Sequence, residues 1–596
     1  MRPVKQFYQF FVYFLRTKLT RAQYIMMVAV FVGFFSGLSA VLLKTVVHHL
    51  QHWIVDLDVS RLAYLLFPTV GLIATVLVVR IFFHNRFEKG LTMVLRAIAR
   101  RNSFIPLSHT YQHVITSSIT VGLGGSVGLE APIVATGSSI GSNIARISDL
   151  SYRERTLLIG CGAAAGISAV FNAPIAGVIF AIEVLLTETI VSYFIPLIIS
   201  SVLGALCSRI ILKESSGLFN FVLQEKFNYN NVPGYIILGV TAGFVALYYA
   251  RAFKGTEHRL ADWKLNPYVK AAMGGLMLAA LFFLVPPLFG EGYESIKLVA
   301  TGQTGGITAN VSYASLLEDN WGLIAFAGIV VLLKPVAAAV TIGSGGYGGN
   351  FAPSLFTGAF LGFFFSRLLN ITGWFKVPES NFSLVGMAGV LSGVMYCPLS
   401  AIFLIAEITN GYELFIPLMI VSSISYFIAK SYQRYSMETK QLVMDGEIFT
   451  HEKEKNILTS LRLDEMLQEK YDSISVDARL TELVELIKKS NRNIFAVHDQ
   501  RNRFVGIIEL NDIKQHLFQP DAFEKMPVRS LMKKPAATLL HTMNMHAVME
   551  TFDITHTWYL PVLNHEKVFL GFISKSKLFA KYRESLASQT DLYDEA

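Results

Sequence analysis

Nine apolar stretches, at 24–50, 62–83, 154–211 with interruptions, 233–250, 268–290, 321–342, 353–370, 382–408 and 414–429, restrict what this 596-residue chain can become. Many are long enough to cross a hydrocarbon slab of about 30 Å, where each backbone N–H and C=O needs a partner inside the protein; spanning segments of this length are therefore helices. Hydrophobic residues make up 53% of the chain and charged ones only 16%, with the charge gathered toward the two ends. The sequence reads as a polytopic helical membrane protein.

The first segment, 1–22, carries Arg2, Lys5, Arg16, Lys18 and Arg21 without an acidic residue, then enters an apolar run far longer than a signal-peptide core. By the positive-inside tendency this end is expected on the cytoplasmic side, in a multi-pass protein of the cell membrane. A net charge of +8 suits loops facing anionic lipid and calls for no nucleic-acid partner. Cys161, Cys207 and Cys397 stand in apolar surroundings without metal-ligand spacing, so they read as packing residues.

Within the membrane region, residues 122 to 132 read Gly-Leu-Gly-Gly-Ser-Val-Gly-Leu-Glu-Ala-Pro, and residues 343 to 353 echo them as Gly-Ser-Gly-Gly-Tyr-Gly-Gly-Asn-Phe-Ala-Pro. Glycines let successive N–H groups point at one spot, and a proline in the first helical turn leaves the amides before it facing outward. With the positive end of the helix added, Gly128 and Leu129 in one segment, and Gly349, Asn350, Phe351 and Ala352 in the other, form candidate anion cradles. Glu130 is the one carboxylate within them, and a carboxylate beside such amides competes with a halide for the same seat. The run Gly160-Cys-Gly-Ala-Ala-Ala-Gly166 has no polar end and reads as close helix packing instead.

Two spacings indicate a duplication. Ala131-Pro132 and Ala352-Pro353 lie 221 residues apart; Pro174 and Pro398, and the following Glu183 and Glu407, lie 224 apart. Duplicated membrane halves commonly face opposite ways, with broken helices meeting at mid-depth, so the two cradles should converge on one site. The expected divisions are a membrane domain at 23–436 with halves at about 23–215 and 230–436, a linker at 437–460, a soluble α/β region at 461–584 and a tail at 585–596. The soluble region repeats a unit of helix, strand, turn and second strand, at about 461–519 and 527–584. This pair resembles tandem CBS domains.

The membrane region resembles the CLC family of chloride channels and chloride/proton antiporters. Gly128-Leu-Glu130-Ala-Pro132 is similar to that family's Gly-Arg/Lys-Glu-Gly-Pro motif, and Gly349-Asn-Phe351-Ala-Pro353 to its Gly-x-Phe-x-Pro motif. The resemblance implies an all-α membrane domain of two inverted repeats with broken helices, followed by the soluble α/β CBS pair. It further implies a homodimer with one anion pathway per subunit, Glu130 as gating carboxylate, and chloride or a similar small anion, with or without protons, as the transported species.

The departures from the family pattern bear on mechanism. Where the family places its first serine motif, this chain reads Arg86-Phe-Glu-Lys-Gly-Leu-Thr-Met93, with Lys89 at the serine position before Gly90. Where the central tyrosine is expected, the best register gives Glu438, with Tyr435 the nearest phenol. The inner proton-carrying glutamate of coupled members would follow Glu183, but the residue there is Val184, which cannot relay a proton. These features favour channel-like conduction, with chloride/proton antiport as the alternative. In the CBS pair the nucleotide-binding Ser/Thr-x-x-Asp ending is split: Asp512 is kept in the first copy and Ser574 in the second. Each copy lacks one polar partner for ribose, so a structural or dimerising role outweighs adenine-nucleotide binding, and no other cofactor is expected. A divalent-cation transporter with CBS domains is a more distant reading, because it needs clustered oxygen ligands and the apolar helices offer Glu130, Glu183, Glu407 and little else. No metal-ligand pair on a helix, nucleophile elbow or phosphate loop points to an enzyme.

Overall fold

The computed structural model describes residues 18–57, 60–83, 90–100, 103–186, 194–212, 226–308, 311, 313–317, 319–373, 376–409, 411–444, 463–467, 471–514 and 526–590. The chain divides into two units, Met1–Glu447 and Ile448–Ala596.

Among the described residues of the first unit, nine helices are long and apolar enough to cross a membrane, from Arg21–Asp56 to Phe415–Lys440. Their starts follow local chemistry. Thr20 accepts from the Gln23 N–H while the Gln23 side chain accepts from the Thr20 N–H, and Ser151 and Glu154 make the same capping box at Tyr152–Phe171. Glu154 also takes a two-pronged bond from Arg21 at 2.7 and 2.9 Å, tying the first helix to this one. Tyr152–Phe171 is almost wholly enclosed, whereas Ala63–Phe82 and Pro267–Leu284 are mostly uncovered and turn apolar side chains outward. Such a surface suits lipid and would be an aggregation liability in water.

The duplication is visible in the packing. In the first half, Glu130–Ile147 lies on Tyr152–Phe171, and a Cβ at Gly162 would overlap the backbone of Gly137. In the second half, Phe351–Thr372 lies on Glu379–Met395, and Gly358 meets Gly386 in the same way. Only glycine permits this backbone approach, and the packing role expected of the 160–166 run is what the helices show. The next helix of each half is broken at one equivalent place. Asn172 (φ 55°) and Tyr396 (φ 60°) end their helices in the left-handed region, and Pro174–Phe180 and Pro398–Ile408 begin two residues later. The apolar stretches at 154–211 and 382–408 are thus each more than one helix. All three cysteines are buried and free.

Among its described residues, the second unit holds two three-stranded sheets of the same order. β1 (Ser473–Ser475) pairs parallel with β2 (Ile494–His498), which pairs antiparallel with β3 (Phe504–Glu509); β4 (Leu539–Leu540), β5 (Tyr559–Leu563) and β6 (Phe569–Ser574) repeat the arrangement, including the irregularity in register near the end of the middle strand. Phe504 stacks on its equivalent Phe569 at 5.7 Å, and Ala496, Ile507 and Phe572 are buried together, so the two copies share a core. The short helix Met437–Met444 packs against Gly90–Arg100 and belongs to the first unit.

Candidate anion site at the junction of the two halves

Each glycine-rich segment leaves its preceding helix through a left-handed glycine, Gly124 (φ 94°) or Gly345 (φ 106°). The two loops then lace together by equivalent bonds. Thr120 Oγ1 accepts from the Tyr347 N–H at 3.0 Å and Thr341 Oγ1 from the Ser126 N–H at 3.2 Å. Gly128 and Gly349 exchange both backbone bonds, at 3.0 and 2.8 Å. Two helices start from this bridge, Glu130–Ile147 and Phe351–Thr372, and neither Leu129 nor Asn350 caps its helix with a side chain. The amides at 130, 131, 351 and 352 belong to the first turn of each helix and have no acceptor one turn back, and proline as the third residue fits there because it has no N–H to leave unpaired. The structure therefore brings Gly128, Leu129, Gly349, Asn350, Phe351 and Ala352 together as a junction of two helix N-termini, all buried.

Glu130 is the first residue of its helix and only 1% exposed. Its carboxylate folds back over Gly128, where a Cβ would strike Oε2, and the amides of Glu130 and Ala352 turn toward it. Tyr293 O–H donates to Glu130 Oε1, and Phe171, Phe180 and Phe351 pack around this corner. Two groups that sequence reasoning overlooked complete the wall. Glu291 Oε1 accepts from the Leu129 N–H at 3.2 Å; it sits in the turn Gly290-Glu291-Gly292 between helices, which is why a count of acids inside apolar helices passes over it. Lys334, wholly buried, donates to Ser126 Oγ at 2.9 Å and Gly290 O at 3.0 Å over the ring of Phe356. Its signal was available, since an ionisable residue inside an apolar span is a functional candidate in its own right.

On the other flank of the bridge, Tyr347 and Tyr249 are buried phenols. Tyr347 O–H accepts from the Gly90 N–H at 3.2 Å, and Tyr249 O–H reaches Asn350 Oδ1 at 3.3 Å. Glu438 accepts from Thr92 Oγ1 at 3.1 Å and lies within electrostatic reach of both phenols. Tyr435 lies beneath the Arg434 guanidinium at 5.7 Å. His113 stacks on Tyr347 at 5.0 Å and bonds His109 at 3.2 Å. Lys89 lies outside the described residues.

Glu183 lies in a wide helical turn, Ala181–Leu185, with Val184 half-buried beside it. Its carboxylate accepts from Leu399 N–H at 3.1 Å, Ser400 N–H at 2.8 Å and Ser400 O–H at 2.6 Å, capping the second half's broken helix. Glu407 returns the bond by accepting from Ile175 and Ala176 at 3.0 and 2.7 Å. In the second unit, Asp512 is paired with Lys533 at 2.9 Å, while Ser574 Oγ accepts from the Lys577 N–H at 3.2 Å. Lys533 is held above the ordinary lysine range by its hydrogen bond to Asp512 and its contact with Glu509.

A family model described as voltage gated chloride channel matches residues 71–430. A putative chloride channel protein, ClcB-like, of Ralstonia nicotianae is 27% identical over 420 residues, which are 67% of this chain and 92% of that protein. Among solved structures, a slow cyanobacterial Cl-/H+ antiporter superposes with a TM-score of 0.61 at 19% identity, covering 72% of this chain and 99% of its own. A eukaryotic CLC transporter superposes with a TM-score of 0.59 at 17% identity, covering 95% and 98%. These two likenesses speak to the fold, and the second extends it through the C-terminal unit. The family model spans more than half of the chain, over the residues that build the laced junction, and the chain belongs to the voltage gated chloride channel, or CLC, family of anion transporters.

Proposed function

We infer that this protein carries chloride or a similar small anion across the membrane along a path through the Gly128–Gly349 bridge, with Glu130 as its gate. The observation that carries the reading is the reciprocal bridge itself, which sets two uncapped helix N-termini beside one buried carboxylate. Outward-facing amides and two helix dipoles favour an anion, and the same field favours the Glu130 carboxylate when no anion is present. Anion entry then requires that carboxylate to swing away or take a proton.

Val184, which has no titratable group, at the inner proton position supports passive conduction, as does the relative's name. The second reading, chloride/proton antiport, is supported by Glu438, a carboxylate within electrostatic reach of two buried phenols on the far side of the bridge from Tyr293. Purified protein in liposomes separates them: chloride flux without proton movement favours a channel, chloride-driven proton movement favours antiport, and neither overturns the transport reading. The protein works as a homodimer with one path per subunit, supported by the apolar side chains Ile175, Leu399, Ile416 and Met419 that face outward around the cross-capped helices. Its N-terminus and C-terminal unit face the cytoplasm, and that unit is a CBS pair serving as a structural cap, a role supported by the repeated sheets and the engaged Asp512.

A further inference from the structure

The turn carrying Glu291 is fixed on several sides. Gly290 and Gly292 both adopt positive φ, 63° and 88°, and a Cβ at Gly292 would strike the ring of Phe356. Gly290 N–H donates to Gly124 O at 3.2 Å, and Gly290 O receives the buried Lys334 amine at 3.0 Å. Lys334 is bound in turn to Ser126 Oγ and stands over Phe356 at 4.6 Å. This scaffold aims the Glu291 carboxylate at the Leu129 N–H, the amide one residue before the gate. A buried amine beside a half-buried carboxylate is costly to build unless something is gained from the pair.

Three further observations converge on the same spot. Glu130 Oε2 is buried against Gly128 with the amides of Glu130 and Ala352 turned toward the carboxylate but no full hydrogen bond closed on that oxygen, so the carboxylate is incompletely satisfied where it rests. The groups acting on Glu291 are Glu130, which repels it, Lys334 and Lys44, which attract it, and Tyr293, which carries the proton donated to Glu130. The amide that Glu291 occupies belongs to the helix N-terminus from which an anion would be bound.

We propose that Glu291 is a second carboxylate plug of the anion path, occupying the Leu129 amide as Glu130 occupies the amides that follow. The proposal rests on the reading of Glu130 as the gate. An anion reaching the bridge displaces both carboxylates, and each is released by taking up one proton from solution. Lys334 stays behind as a hydrogen-bond donor, so the vacated seat offers its amine and the freed Leu129 N–H to the anion once Glu291 is neutral. With two carboxylates to neutralise, neutralising Glu130 alone leaves the path sensitive to pH.

The test is chloride efflux from proteoliposomes at equal pH on both sides, between about pH 4.5 and 7.5, for wild type, Glu130→Gln, Glu291→Gln and the double variant. Glu130→Gln is expected to conduct faster than wild type at neutral pH yet still accelerate on acidification, and the double variant to be fast and flat. Identical pH profiles for Glu130→Gln and the double variant overturn the second plug. If Glu130→Gln behaves as wild type, the gate reading fails instead, and Glu291 is judged by whether Glu291→Gln flattens the wild-type profile. Should either glutamine variant not fold, Glu291→Asp supplies the measurement, because its shorter side chain leaves the Leu129 N–H. Chloride affinity by calorimetry then rises about tenfold, the equivalent of freeing one amide donor from a charged acceptor. Unchanged affinity overturns the proposal.

Discussion

Glu183→Gln separates two roles for one carboxylate. Glu183 stands one residue before Val184, the place where the family resemblance puts the inner proton glutamate, but in the fold it accepts three hydrogen bonds from the first turn of Pro398–Ile408. A net hydrogen bond to a charged acceptor contributes about 1.5–3 kcal/mol. A charge at a helix N-terminus adds about 0.3–1 kcal/mol. Glutamine keeps one oxygen for one of these donors but turns its own NH2 toward another, so a charged bond is lost outright and a second becomes neutral. The expected loss is about 2–4 kcal/mol, or a fall of about 4–8 °C in the unfolding midpoint at roughly 2 °C per kcal/mol. Glu407→Gln removes the reciprocal cap, which has two donors and no hydroxyl, and should cost about 1 kcal/mol less. The assay is thermal unfolding of detergent-purified protein followed by tryptophan fluorescence, with chloride flux and proton movement measured alongside in liposomes. Wild-type stability combined with altered proton movement in Glu183→Gln would falsify the capping argument and make Glu183 a coupling group.

Tyr293→Phe withdraws the hydroxyl from Glu130, loosening the carboxylate from its resting place, and should raise chloride efflux at neutral pH about tenfold; a slower variant would contradict this. Gly162→Val places a side chain where the Gly137 backbone lies, so expression of folded protein should collapse, at a cost of more than about 4 kcal/mol, as judged by size-exclusion chromatography. In the C-terminal unit, Lys533 has a folded value raised above the ordinary 10.5 by Asp512 and Glu509. Its stabilisation is therefore present below about pH 10 and disappears as pH climbs past the folded value. Lys533→Met should lower the melting temperature slightly at pH 7, by no more than the equivalent of about 1 kcal/mol because the group is exposed, and make no difference in strong alkali. Because Asp512 is already engaged by that lysine, millimolar adenine nucleotide should move the melting temperature by less than about 1 °C in a thermal-shift assay.

The features legible in the sequence are those whose chemistry is local. Glycines before and a proline inside a first turn mark a helix start wherever they occur, so both cradles, their common spacing and their convergence follow from residues 122–132 and 343–353. Glu291 and Tyr293 are different, because only the folded path of the chain brings them to residues about 160 positions earlier. Tyr347 lies within the second glycine run, whereas the family register points to Tyr435 and Glu438. Glu438 does reach Thr92, while the phenol on Gly90 comes from Tyr347. Glu183 illustrates a further limit. Its spacing from Glu407 signalled duplication, but that each acid caps the other half's helix depends on the inverted packing of the halves.

The inverted repeat also separates what the frame requires from what transport requires. At positions 221 residues apart, Thr120 and Thr341 are alike and hold each other's loop, and Gly128 and Gly349 are alike and bond each other. These pairs are symmetric because a two-fold junction needs the same contact twice. Three other pairs differ. Glu130 corresponds to Phe351, so one helix start carries a carboxylate, the gate on the proposed reading, and the other an aromatic ring. Lys334 meets Ser126 on one flank, and at the corresponding place His113 meets Tyr347 on the other, an amine on a hydroxyl against an imidazole on a phenol. A symmetric path would bind an anion equally from either side. The differences at 113/334, 126/347 and 130/351 place the carboxylate and the buried amine on one flank and the phenol and imidazole on the other, which would give the proposed path unequal ends without disturbing the bridge that holds it together.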